Sequence, residues 1–173
     1  VLEIVQVPSH AVSAAEAGLA EPLGRTLKTI NALRANQQDA DDNMEMLAME
    51  VLHVLVKNRD ARRHCRLLQS DTLRPVCAAV GYSANMASDS RADIACIGLD
   101  ILHFVLSDVE ALGETPQVLQ SPEALAYLDC ISAEPRFLRA LCATLLLKTG
   151  MKIRGDEEDM PFDVPELFGP PLV

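Results

Sequence analysis

The chain has no tryptophan, two tyrosines and four phenylalanines among its 173 residues. Sheets in sandwiches and barrels draw on aromatic and β-branched side chains to cover their pleated surfaces, so a core of Leu, Val, Ala, Met and Ile points to helices packed on helices. There is no run of eighteen apolar residues, so no membrane-spanning helix is expected, and no signal-peptide pattern is visible. The five cysteines, Cys65, Cys77, Cys96, Cys130 and Cys142, are odd in number, scattered and without a CxxC pair. That excludes a dense secreted disulfide framework and leaves reduced, mostly buried thiols in an intracellular protein, cytoplasmic or nuclear. The phosphate-binding loop, the GxGxxG turn and the GxSxG elbow are all missing. His10, His53 and His103 show no metal-ligand spacing with cysteine. His64 beside Cys65 is no catalytic dyad, because neighbouring helical side chains point about 100° apart. No enzymatic activity, metal or cofactor is expected.

What the chain does have is a repeat. Glu50-Val-Leu-His-Val-Leu-Val-Lys-Asn58 returns fifty residues later as Asp100-Ile-Leu-His-Phe-Val-Leu-Ser-Asp108, acid for acid, Leu52 for Leu102 and His53 for His103. Each copy is followed by a Leu-Gln-Ser string, at 68–70 and 119–121, and then by an apolar run. Leu141-Cys-Ala-Thr-Leu-Leu-Leu-Lys148 has the texture of a third copy about forty residues further on, with Ala140 and Ala143 where the acid and histidine would fall. Repeats of this size are units too small to bury their own apolar face, so they stack. The longer first interval is assigned to a small, polar inserted loop at 82–90.

An apolar content of 49% in one domain's length is enough for a continuous core. The boundaries expected are 1–154 for a helical-repeat domain and 155–173 for an acidic, Pro-rich tail. Helices are predicted over 11–20, 22–36, 44–58, 59–69, 71–80, 89–106, 112–120, 122–131 and 135–149, after a short ambiguous segment closed by Pro8. Ser70 or Asp71, and Ser121 ahead of Pro122, read as helix starts. Leu23, Leu27, Ile30 and Leu33 form one apolar stripe, whereas 47–56 is apolar on nearly every side and must lie between neighbours. The first residue is Val rather than Met, from which a processed chain or a fragment of a longer one is expected.

Two short helices followed by a long buried one is a rhythm that resembles the armadillo and HEAT superfamily over about 11–150. The resemblance implies an all-α, right-handed α-solenoid of about three repeats with an extended C-terminal tail. It also implies a binding or scaffolding role, with the long helices lining a concave face. Armadillo proteins of the importin kind clamp peptides with an Asn in the last turns of that helix. Val54 and Phe104 stand there instead, and clamping of that kind is not implied.

Three groups of residues are candidate contacts with a protein or peptide partner. Glu50 with His53, and Asp100 with His103, are spaced i, i+3 and share a helical face. If the long helices lie side by side they form a polar row; otherwise each His bonds within its own helix. Arg59, Arg62, Arg63 and Arg66, with Lys57 and Arg74 nearby, concentrate positive charge in a chain of net charge −10. They read either as a solvated face or as a dock for an acidic peptide or phosphate. Nucleic acid is not expected, given the global acidity and scarce aromatics. Phe162, Leu167 and Phe168 lie among acids and four prolines in the tail, a composition that makes neither helix nor strand. The tail reads as a motif that inserts into a partner or as a cap folded back over the last repeat. The function expected is a non-catalytic scaffold or adaptor module; the alternative is a structural domain docking into a larger assembly through its tail and end repeats.

Overall fold

A computed structural model describes residues 2–68, 71–83, 89–110 and 121–148, with the side chains of 89–90, 109–110 and 142–148 outside the description. The described residues form helices, turns and links, with no strand among them. In chain order the helices are α1 (Leu2–Val5), α2 (Pro8–Glu16), α3 (Ala20–Ala35), α4 (Asp42–Lys57), α5 (Arg59–Cys65), α6 (Leu73–Ser83), α7 (Asp89–Glu110), α8 (Pro122–Ser132) and α9 (Pro135–Lys148).

Their limits follow local chemistry. Pro8 opens α2 rather than closing what precedes it, since a proline in the first turn gives up an N–H that has no helical partner. The Asp41 carboxylate accepts from Met44 N at 3.0 Å and starts α4. Asn58 ends α4 and caps α5, accepting from Asp60 N at 3.0 Å and Ala61 N at 3.2 Å. Ser121 caps α8 by accepting from Ala124 N at 3.1 Å. Asp71 does not cap α6: its carboxylate accepts from Lys28 Nζ at 2.6 Å instead, and the helix begins at Leu73. The expected loop at 82–90 is also corrected, because Tyr82 and Ser83 close α6 while 89–90 open α7. Residues 84–88, and the helix expected over 112–120, lie outside the described residues.

The core gathers around α4, α6 and α7. α7 packs on both α4 and α6, α3 bridges α4 and α6, α1 lies on α4, α2 lies on α5, and α9 lies on α6. The three central helices meet at Gly98, where an added Cβ would come within 2.2 Å of Val80 Cγ2 and 3.0 Å of Met49 Cε. Only hydrogen fits there. The repeated strings bury their matched apolar residues alike. Val51, Leu52 and Leu55 of α4 and Ile101, Leu102 and Val105 of α7 are all buried. α4 lies between neighbours as its apolar character demands, packed on α1, α3, α5 and α7. α9 packs chiefly on α6 and α8.

Candidate functional site

Helix α5 is seven residues long, and its inward side is set by Ala61 and Cys65, both buried. Arg62 is adjacent to that side and is drawn inward too. Its Nε and Nη2 donate to the two carboxylate oxygens of Asp108 at 2.6 and 2.7 Å, and its Nη1 donates to the Val56 carbonyl at 2.6 Å. The guanidinium also lies 5.6 Å from the Phe104 ring centroid. The hydrogen bond from Arg62 holds the Asp108 carboxyl below the usual range against the opposing effect of burial. Arg62 is therefore a strut between α5 and α7. Its side chain is 9% exposed, which corrects the reading of four equivalent surface arginines.

Arg59, Arg63 and Arg66 do remain exposed. Arg63 Nη1 stands 3.9 Å from Asp60, a surface pair of small energy. Arg66 no longer continues the helical row, because it ends α5 in the left-handed conformation at φ 48. Arg74 leaves the group as well, pairing with Asp129 of α8. Beside α5 lies a cavity of about 400 Å³, reaching across to α7 and the first turns of α8. Its apolar lining comes from Leu67, Leu68, Val105 and Ala126. Arg63 and Arg66 bring positive charge to it, Glu123 one opposing charge, and the Arg62–Asp108 pair is internally neutral. A space of this size, apolar with a few charged groups at its margin, suits an anchor side chain carried by an acidic segment.

The acid and histidine positions are brought together only in part. His53 Nε2 approaches Asp100 Oδ2 at 3.5 Å, across the α4–α7 contact rather than within its own helix. Phe104 stands beside both imidazoles, with ring centroids 6.0 Å from His53 and 5.9 Å from His103. Burial pushes the His53 imidazole toward its neutral form, as does nearby Lys57, while Asp100 pulls the other way without overcoming them. Glu50 is half-buried and His103 exposed. Phe162, Leu167 and Phe168 lie outside the described residues.

One buried polar cluster escaped the sequence reading. The Glu45 carboxylate is fully buried, with one oxygen accepting from Arg34 Nη1 and the other from Arg91 Nη1. Asp42 accepts from the second nitrogens of both arginines, at 2.9 Å from Arg34. The Tyr82 ring lies 4.8 Å from the Arg34 guanidinium, 5.4 Å from Arg91 and 6.0 Å from Arg136. A signal for this was present in the spacing. Glu45 shares its stripe with Met49, Leu52 and Val56, and Arg91 shares its own with Ile94 and Ala95, so each is a charge on a buried face. Its partners are distant in sequence, and only folding brings them together.

Burial also acts on the thiols, lifting Cys65 to about 11 and Cys77 to about 12, which holds both in the protonated, unreactive form. Cys65, Cys77 and Cys130 are buried and Cys96 is exposed; the Cys142 side chain lies outside the described residues. Among the described residues no group of three or more His, Cys, Asp or Glu side chains is placed to hold a metal ion. None of the described helices is long and apolar enough to cross a membrane. Compared with known proteins, the chain matches no family model, no curated protein and no solved structure.

Proposed function

We propose that this chain is a non-catalytic protein-interaction module, an armadillo/HEAT-like scaffold or adaptor that holds a partner segment on its helical surface. The observation that carries this reading is the cavity between α5, α7 and α8, with its apolar lining and its exposed arginines Arg63 and Arg66. The Arg62–Asp108 strut keeps the walls at a fixed separation, so the site is organised before a partner arrives, which lowers the ordering cost of binding. The partner expected is a protein or peptide with acidic residues flanking an apolar anchor. The test is affinity capture with the full chain as bait, beside an Arg63→Glu/Arg66→Glu form and a Glu50→Ala/Asp100→Ala form. A discrete partner lost only from the arginine form supports the cavity; loss from the second form moves the site to the α4–α7 face; equal capture by all three refutes both surfaces.

A second reading, a structural domain docked into a larger assembly, draws on α8. Leu125 and Leu128 are spaced i, i+3 on its outer side and are 54% and 50% exposed. Two adjacent leucines in water are a docking patch of modest size.

A further inference from the structure

The cavity beside α5 has a candidate occupant within this chain. Residues 155–173 contain six acids and no basic residue, and Phe162, Leu167 and Phe168 follow the run Asp156-Glu-Glu-Asp159. That is an acidic stretch leading into large apolar anchors. The cavity offers the complement, with Arg63 and Arg66 at its margin, Arg59 exposed on the same short helix, and Leu67, Leu68 and Val105 in its lining. Glu123 in the lining and Asp60, 3.9 Å from Arg63, oppose the three exposed arginines Arg59, Arg63 and Arg66, which still leave a positive balance.

Distance permits the contact. Phe162 lies fourteen residue steps beyond Lys148, the end of α9, a reach of up to about 46 Å. The cavity is walled by Pro122 and Glu123 at the start of α8, and α8 runs into α9 through two residues. Laid end to end, the 11 residues of α8 and 14 of α9 would span about 38 Å. The two helices pack on each other, so the separation is shorter than that.

We infer that the acidic segment 155–168 of this chain docks in cis on the cavity between α5, α7 and α8, with Phe162 as the anchor. The inference rests on the reading of this cavity as the docking site and deepens it: an external partner carries the same chemistry and competes with the chain's own segment. Such a segment binds at a high effective concentration, so a partner must out-compete it or find it displaced.

Chymotrypsin cleavage after Phe162, followed by mass spectrometry on the full chain under native conditions, tests this. Arg63→Glu/Arg66→Glu is expected to speed that cut about tenfold, because cleavage follows the population of the undocked segment. Glu157→Lys/Glu158→Lys, which leaves the helices untouched, is expected to do the same even if the arginine form folds poorly. The four changes combined restore slow cleavage, as a double-mutant cycle requires of groups that meet. Equal rates in all forms, or no recovery in the combined form, overturn the inference. Protection that fades on dilution also overturns it, by assigning the segment to a second copy. If cleavage ignores Arg63 and Arg66 while partner capture still depends on them, the cis docking fails and the interaction reading stands; if both ignore them, both fail.

Discussion

Glu45 has no contact with solvent, and each of its oxygens is held by a different arginine, one on α3 and one on α7. Removing the carboxylate leaves two guanidinium groups, only 5% and 4% exposed, to share the half-exposed Asp42 as their remaining acidic partner, with one inward nitrogen of each unpaired. Glu45→Ala is therefore expected to cost about 3–5 kcal/mol in a urea titration. The same logic sets the acid sensitivity. At Asp42 burial opposes ionisation, but hydrogen bonds and charge from Arg34 and Arg91 outweigh it; at Asp108 the bond from Arg62 dominates. Both carboxyls titrate below their ordinary 3.8, so their contribution is complete above about pH 4 and is lost as the pH falls through the lower folded values. Urea midpoints measured between pH 5 and 2 should fall, and Arg62→Met should flatten part of that slope. His53 acts in a higher window. Its folded value lies below 6.5, so the unfolded chain takes up the proton first, and stability declines as the pH drops below about 6.5. His53→Asn should remove that decline from the same titration.

At the scale of elements, the short helices depend on their caps and the long ones on close approach. α5 positions the cavity's arginines, yet seven residues are too few to hold a helix without tertiary support. Asn58 supplies two bonds to its first turn and donates from Nδ2 to the Pro8 carbonyl of α2 at 3.3 Å. Asn58→Ala should cost about 0.5–2 kcal/mol, with faster amide exchange across α5 as the local sign. α6 and α9 meet at Gly81, where an added Cβ would lie 2.5 Å from the Phe137 backbone nitrogen. Backbone cannot swing aside, so Gly81→Ala should lower stability by about 1–3 kcal/mol. Helix starts were legible where the signal is local and unambiguous, as at Ser121 and the first-turn proline Pro122; Pro8 was misread as an end because a proline can both stop one helix and open the next. Asp71 was misread as a cap because Lys28, 43 positions away, takes its carboxylate.

For the whole molecule, the two copies of the repeated string meet in one shared core, with Leu52 and Leu102 both buried and α4 packed on α7. A single cooperative transition is expected. The chain has no tryptophan, so its two tyrosines are the reporters: Tyr82 lies among Arg34, Arg91 and Arg136, and the Tyr127 hydroxyl donates to the Leu102 carbonyl at 3.2 Å. Tyrosine emission and far-UV circular dichroism should give coincident melting curves; a separated tyrosine transition would show that α6 or α8 unfolds on its own. The sequence by itself determined the helical class, the caps and the buried faces of α4 and α7, because propensity, capping and apolar period are properties of neighbours in the chain. Only the tertiary structure decided what the charges do. It turned Arg62 inward to Asp108, left Arg63 and Arg66 beside an apolar cavity, joined His53 to Asp100, and buried Glu45 between two arginines. A charge carries no mark of its partner in a sequence; its role is fixed by whichever opposite charge, or whichever water, the fold leaves within reach.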